Sequence, residues 1–200
     1  MNVAKARKLR IADIADIRAY ERERVDFRGL VIALKQRRRV SVGPYITFVF
    51  ENRDTIRFQI QEMARVEKLY SDEQIETELN IYNPLIPEAG HVAATMFIEL
   101  TSEALLREWL PKLVGVERTI ALRFGDERVA FTLDAAHEAQ LTRDDITSAV
   151  HYVHLALDPD QIDKFATGAP RLVIEHPAYS YETTLGSDTI AELLGDLRED

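Results

Sequence analysis

Cysteine is absent from the 200 residues of this chain. Its absence excludes disulfide bonds, thiolate nucleophiles, cysteine-ligated zinc and cysteine-held iron–sulfur clusters. No apolar run approaches the roughly 20 residues that a membrane-spanning helix needs. The first ten residues are basic, but the apolar segment of a secretory signal does not follow them. We therefore expect a soluble cytoplasmic protein without a membrane partner.

Several catalytic motifs are also missing. The sequence contains no GxGxxG, GxxxxGK[ST] or GxSxG segment, the signatures of a dinucleotide site, a P-loop and a nucleophile elbow. The five histidines are scattered, and none forms the HxxxH or HExxH pair that binds zinc from one helix face. Whether the protein is an enzyme, and which cofactor or metal it binds, stays open at this level.

The composition is that of an ordinary globular protein, with 46% hydrophobic and 30% charged residues. A chain of this length fits one domain, which we take as residues 1–200. The formal net charge is −9, from 25 basic and 34 acidic residues. Because nucleic-acid binding relies on basic contacts to phosphates, we expect no nucleic-acid partner. The basic run Arg37 to Arg39 is interpreted as a helix end or as a source of ion-pair partners.

Hydrophobic periodicity predicts an α+β fold that begins with a long N-terminal helix from about Asp16 to Arg38. Capping residues and prolines predict further helices over about 55–70, 72–82, 102–113 and 188–197, and a short helix after Asp158-Pro159. Alternating and β-branched runs predict strands over about 45–50, 92–100, 119–124, 128–133, 148–157 and 171–176. The tight connection Gly125-Asp126 indicates a hairpin. Because the chain lacks regular βαβ alternation, we expect a largely antiparallel sheet with helices packed on it.

The second predicted helix carries polar side chains on the face that should be buried. At about 100° per residue, Glu67 and Gln59 project among its apolar residues, and Glu62 lies nearer the boundary. A buried carboxylate costs several kcal/mol unless it is paired and hydrogen-bonded. Arg24 is the expected donor to Glu67, because it lies within the apolar stripe of the first helix. The pair is interpreted either as a structural ion pair or as part of a polar pocket.

Two strand residues extend this list of candidates. Glu99 is interpreted either as a second pocket carboxylate or as a solvated residue. His176 lies at a strand end, where it is either an ordinary hydrogen-bonded histidine or a ligand or acid–base group. His151 and His154 are three residues apart on a predicted strand, so they should point to opposite faces and not share a metal ion.

Five segments resemble a bacterial family catalogued as domain of unknown function 3501: Arg38 to Met63, Tyr82 to Pro87, Ala94 to Leu100, Ala149 to Val153 and Glu175 to Tyr179. The resemblance covers nearly the whole chain and implies a stand-alone bacterial protein. It carries no established activity and no catalytic residues. Members tend to be encoded beside rubrerythrin-like and iron–sulfur oxidoreductase genes, which implies a role near peroxide or iron handling.

Two functions follow as hypotheses. The first is a non-enzymatic accessory protein that binds a redox or iron-handling protein partner, and it predicts an exposed apolar patch or a symmetric homodimer surface. The second is a small-molecule or metal-binding enzyme with a polar carboxylate and arginine pocket on the second helix. Glu67, Gln59, Arg24 and His176 would then converge.

Overall fold

The computed structural model describes residues 7–133 and 146–198, which form six α-helices and nine strands. The helices are α1 Ile17–Arg38, α2 Arg53–Glu67, α3 Asp72–Tyr82, α4 Glu103–Lys112, α5 Pro159–Thr167 and α6 Ser187–Arg198. The strands are β1 Arg39–Val42, β2 Ile46–Phe50, β3 His91–Ile98, β4 Ile120–Phe124, β5 Glu127–Ala130, β6 Thr132–Leu133, β7 Val150–Ala156, β8 Arg171–His176 and β9 Tyr179–Thr184. No helix of these described ranges is long and apolar enough to cross a membrane.

The strands form two antiparallel sheets. The five-stranded sheet has the order β1-β2-β3-β7-β6, and the four-stranded sheet has the order β5-β4-β8-β9. Alternate residues of both sheets enter one apolar core, which contains Phe48 and Met96 from the first sheet and Leu122 and Leu172 from the second. Leu193 of α6 joins the same core, so the C-terminal helix is part of the main hydrophobic interior.

The outer face of the five-stranded sheet is covered by α1, α2 and α3. A second apolar cluster lies there, built from Ile56 and Ile60 of α2 and Leu79 of α3 among others. A buried carboxylate belongs to this face: Glu51 accepts hydrogen bonds from the hydroxyls of Thr95 (2.6 Å) and Thr55 (2.5 Å). These two hydroxyls satisfy both carboxylate oxygens, which is the condition for burying such a group.

Local capping chemistry explains where α2 begins and ends. The side-chain oxygen of Asn52 accepts from the backbone N–H groups of Asp54 and Thr55, which have no partner inside the helix. Lys68 ends the helix in the left-handed conformation with φ 58° and ψ 47°. The helix therefore stops at Glu67, three residues before the predicted end.

The turn between β1 and β2 requires glycine. Gly43 has φ +70°, and a Cβ atom at this position would lie 2.6 Å from Tyr179 Oη and from Tyr181 Cγ. The Tyr179 hydroxyl donates to the carbonyl of Val42 (2.7 Å) and accepts from the N–H groups of Tyr45 and Ile46. One buried tyrosine thus satisfies three backbone groups of the turn and fixes β9 against β1.

The predicted fold class, α+β with antiparallel sheets and packed helices, is confirmed. The N-terminal helix was predicted to begin near Asp16, and it spans 22 residues with Asp16 as its N-cap. The prediction of a single sheet is too simple, because the strands divide into two. Strands β1 and β9 were not predicted; β1 is only four residues long, and β9 is a run of tyrosine, serine and threonine with few apolar residues.

A candidate ligand-binding cleft

Arg24 and Glu62 form an ion pair that joins α1 to α2. The guanidinium group is bidentate, with Nε 2.8 Å from Glu62 Oε1 and Nη2 2.9 Å from Oε2. The Tyr20 hydroxyl donates to the same carboxylate at 2.7 Å. Of the candidate residues in this region, these two meet, and their contact has the geometry of a structural clamp between helices.

The expected pairing of Arg24 with Glu67 is wrong. Glu67 is exposed at the last position of α2, and Gln59 is only half-buried. The helix buries Ile56, Ile60 and Ala64 against the sheet and α3, and it presents Glu62 to α1. Five residues separate Glu62 from Glu67, which is about 140° around a helix, so the two carboxylates face different neighbours.

Glu99 and His176 lie away from the Arg24–Glu62 pair. Glu99 accepts from the Thr47 hydroxyl at 2.7 Å and forms an ion pair with Arg39, while about half of its side chain stays exposed. His176 Nε2 lies 3.2 Å from the carbonyl of Val114, and Nδ1 accepts from the N–H of Ala178. The six candidate residues therefore do not form one cluster: Arg24 and Glu62 meet each other, whereas Glu99 and His176 bind other partners.

The histidine prediction is confirmed in its geometry. His151 is buried with 3% of its surface exposed, whereas His154 on the opposite face of β7 is exposed. His151 Nε2 lies 2.9 Å from both the Thr147 hydroxyl and the Ser148 carbonyl. Burial lowers the pKa of His151, with Glu117 acting in the opposite direction. Within the described residues, no group of three or more histidine, aspartate or glutamate side chains is placed to hold a metal ion.

The Arg24–Glu62 clamp should make stability depend on pH. The hydrogen bond from Arg24 lowers the pKa of Glu62 to about 2, against the opposing effect of burial and with help from Tyr20. Because the folded pKa lies below the unfolded value of about 4.5, the stabilisation is complete above pH 4.5 and is lost as the pH falls toward 2. We expect Glu62→Gln to cost about 2 kcal/mol at pH 7, after allowance for solvent screening.

Urea unfolding at several pH values measures this effect. The free-energy difference between wild type and Glu62→Gln should shrink between pH 4.5 and pH 2. Glu67→Gln is the control, because that carboxylate is exposed on the same helix; removing its repulsion with Glu78 should raise the free energy of unfolding by no more than about 0.5 kcal/mol. A pH-independent difference for Glu62→Gln would contradict the ionic origin.

A cleft lies elsewhere, where the C-terminal end of α1, the N-terminal end of α2, the N-terminal segment and α6 meet. Its volume is about 660 Å³, within the roughly 300–1,000 Å³ typical of small-molecule sites. Its lining residues are Arg7, Leu34, Arg37, Arg38, Asn52, Arg53, Asp54, Ile86, Pro87, Ala191, Glu192, Gly195 and Asp196. Four guanidinium groups and three carboxylates thus surround one concave space.

Arg38 is the buried charge in the cleft wall, with 2% of its surface exposed. Its guanidinium group binds Asp196 through two contacts of 2.6 and 3.0 Å, and its Nε donates to Glu192 at 3.1 Å. Burial works against the charge, but these carboxylates raise the pKa of Arg38 above its usual value. The residue therefore stays protonated and connects α1 to α6.

The other arginines are more accessible. Arg37, with 44% of its side chain exposed, binds Glu192 at 2.7 Å. Arg7 donates to the backbone carbonyls of Pro87 and Asp196 at 3.3 Å. Arg53 pairs with Asp13 at 2.6 Å, outside the cleft lining. These three arginines line the same cleft as the buried Arg38.

The sequence predicted the role of the basic residues of this site but did not predict the cleft. The run Arg37 to Arg39 was interpreted as a helix end and a source of ion-pair partners, and both features are present: α1 ends at Arg38 and all three arginines form ion pairs. The acidic partners, Glu192 and Asp196, are more than 150 residues away. Their spacing of four residues on α6 is the one sequence signal that could have indicated a shared face.

Comparison with known proteins identifies the family. A family model described as "Protein of unknown function (DUF3501)" matches residues 8–197. The chain belongs to this family. A search among curated proteins gave no match. The DUF3501 assignment confirms the resemblance seen in the sequence, and it supplies no activity.

A solved structure shares this DUF3501 fold. The chain is similar to a crystal structure of a protein of unknown function from Burkholderia pseudomallei K96243, with 35% sequence identity and a TM-score of 0.86. The alignment covers 95% of this chain and 99% of the other. The two chains therefore share the architecture described above over nearly their whole lengths.

Proposed function

We propose that this DUF3501 protein is a binding protein and that its ligand is a small anionic molecule held in the cleft. The observation that carries the proposal is the convergence of four arginines on one concave space. Arginine suits such a role because its planar guanidinium group stays charged and matches carboxylate and phosphate oxygens in pairs.

The charge of the cleft supports an anion over a cation. Its lining holds four guanidinium groups against three carboxylates, one of which is Asp54, so the guanidinium groups exceed the carboxylates by one charge. The N-terminal end of α2, which carries a partial positive charge, also lines the cleft at Asn52 to Asp54. This surplus favours a small ligand of low negative charge, and it offers little attraction to a large polyanion.

The titration behaviour of the lining supports binding over acid–base catalysis. Guanidinium groups do not release a proton near neutral pH. Partial burial raises the pKa of Glu192, but Arg37 and Arg38 outweigh it and leave that pKa below its usual value. Glu192 and the arginines of the cleft thus keep their charges near pH 7, whereas a general acid or base needs a pKa close to the working pH.

An accessory role in redox or iron handling, with a redox or iron-handling protein partner, remains part of this proposal. It rests on the gene neighbourhood that the family resemblance implies, and the cleft adds a physical means by which such a protein could respond to a metabolite. A homodimer and the cytoplasmic location also stay predictions. The alternative, a metal-binding or small-molecule enzyme, is not supported by the second helix, because its candidate residues do not converge there.

Filling the cleft tests the proposal. Gly195 lines it, and a Cβ atom built there meets nothing within 4 Å, so Gly195→Trp should enter the space without disturbing the helix. We expect inorganic phosphate or malonate to bind the wild type, and we expect Gly195→Trp and Arg37→Ala to weaken binding at least tenfold, about 1.4 kcal/mol. Isothermal titration calorimetry at constant ionic strength measures the Kd.

Two controls isolate the site. Gly29→Trp places the same side chain on the exposed face of α1, where a Cβ also meets nothing within 4 Å. Arg39→Ala removes the neighbouring exposed arginine, which does not line the cleft. Both should leave the Kd within twofold of wild type. Absence of binding by either anion, or equal losses in the controls, would overturn the proposal.

A further inference from the structure

Three large apolar side chains are exposed on α2, on α3 and on the turn between them. Val66, near the end of α2, has 65% of its surface exposed, Tyr70 in the turn has 77%, and Ile81, near the end of α3, has 43%. Val66 and Tyr70 stay exposed because α2 ends at Glu67 and its buried side runs through Ile56 and Ile60.

The turn after α2 and one side of α3 lie close together. The N–H of Tyr70 donates to the side chain of Gln74, which places the turn beside the first part of α3. Gln74, Glu78 and Ile81 then follow at intervals of four and three residues, so they share one side of α3. Glu67 at the end of α2 interacts electrostatically with Glu78 across the two helices. We call Val66, Glu67, Tyr70, Glu78 and Ile81 the α2–α3 surface.

The charge of this region has one sign. Residues 66–82 contain one basic residue, Lys68, and five acidic residues: Glu67, Asp72, Glu73, Glu76 and Glu78. Within the described part of the chain, no ion pair involves any of these five carboxylates. Most arginines elsewhere on the protein are paired with acids, so this region stands apart.

Helix stability explains only part of this acidity. Asp72 and Glu73 lie in the first turn of α3, where carboxylates are favoured by the helix dipole. Glu67 and Glu78 have no such role, and their mutual repulsion opposes folding. Burial raises the pKa of Glu78, and the proximity of Glu67 raises it further. A cation brought to this position would relieve both effects.

We propose that the α2–α3 surface docks a protein partner with an apolar centre surrounded by lysine or arginine side chains. Tyr70 and Val66 supply the apolar anchors, since exposed tyrosine contributes large contact area at low entropic cost. Glu67 and Glu78 supply the charges that orient the partner and accelerate its association. Nucleic acid and anionic membrane surfaces carry the same sign of charge as this surface, and they are repelled.

Exposed apolar residues of α1 are the natural comparison. Val25 and Leu30 are 78% and 71% exposed, similar to Tyr70 and Val66. The neighbours of Val25 carry both signs of charge, with Arg22 and Arg28 beside Asp26. The surroundings of Val25 have no electrostatic preference that would select a partner, so Val25 serves as the matched control.

Site-specific photo-cross-linking tests the docking surface. The full chain carrying p-benzoylphenylalanine at position 66 is expressed in the organism that encodes it, with position 25 as the control, and cross-linked proteins are identified by mass spectrometry. We expect one basic protein to be captured from position 66 and not from position 25. Purified, it should bind the wild-type chain with a Kd that rises with salt concentration.

Variants then decide the outcome. Tyr70→Ala and Glu78→Lys should each weaken binding of the captured protein at least tenfold, and Glu78→Lys should also reduce the salt dependence of the Kd. Val25→Ala should change the Kd by less than twofold. Circular dichroism verifies that the variants are folded, and unchanged phosphate binding shows that they do not act through the cleft. Capture of only a second copy of the chain, no capture at position 66, or equal affinity of all variants would overturn the proposal.

Discussion

Arg38→Met is expected to destabilise the protein by about 3 kcal/mol, the low end of the cost of breaking a buried ion pair. The change removes both contacts between Arg38 and Asp196 and leaves Glu192 with Arg37 as its partner. Methionine keeps most of the side-chain volume, so the loss reports the charge more than the packing. For a chain of this size we expect the Tm to fall by roughly 6–12 °C.

The neighbouring residue provides the control for this prediction. Arg39→Met removes a guanidinium group that is 45% exposed and pairs only with Glu99, and exposed pairs contribute about 0–1 kcal/mol. Urea unfolding of the two variants, with the midpoint and slope fitted separately, compares them directly. Similar losses for Arg38→Met and Arg39→Met would show that burial of Arg38 is not the decisive factor.

Gly43→Ala is expected to destabilise the protein by about 2–5 kcal/mol. Roughly 1–2 kcal/mol comes from holding an alanine at φ +70°. A further 1–3 kcal/mol comes from overpacking, since the new Cβ would lie 2.6 Å from the Tyr179 hydroxyl and the Tyr181 ring. Relief of that overlap requires Tyr179 to move, which weakens its three hydrogen bonds to the turn.

Gly125→Ala separates the two contributions. Gly125 also has a positive φ, +55°, but nothing lies within 4 Å of a Cβ built there. This variant should therefore lose only the backbone contribution, about 1–2 kcal/mol. Thermal and urea unfolding of both variants measure the difference. If both variants lost the same free energy of unfolding, Tyr179 and Tyr181 would be able to move away from the new Cβ atom without loss of stability. That result would contradict the packing described for Tyr179.

The elements that could be predicted are those with strong local signals. The N-caps Asp16, Ser71 and Asp158 each mark a helix start within a residue or two of its predicted position. Gly125-Asp126 marked the β4–β5 hairpin. Strand β1 has no such signal, because it is short and basic at its start, and its pairing with β2 depends on the Gly43 turn. The division into two sheets is likewise a property of long-range pairing.

The candidate site could be predicted only in fragments. Periodicity placed Arg24 on a stripe and required an acidic partner from α2, and the structure supplies one in Glu62. The choice of Glu67 failed because it assumed one buried side for α2, whereas the helix contacts the sheet, α1 and α3 on different sides. The cleft depends on contacts between α1 and α6, which are more than 150 residues apart in the sequence. The periodicity of a single sequence cannot predict such contacts.

The last helix has a consequence for how the protein is made. Arg38 is translated more than 150 residues before its counter-charges, Glu192 and Asp196. The same helix contributes Leu193 and Leu197 to the core. A ribosome-bound chain therefore carries an uncompensated guanidinium group and an open interior until this helix has emerged. Nascent chains stalled before residue 192 should remain protease-sensitive, whereas chains in which residues 187–198 have left the ribosome should become resistant.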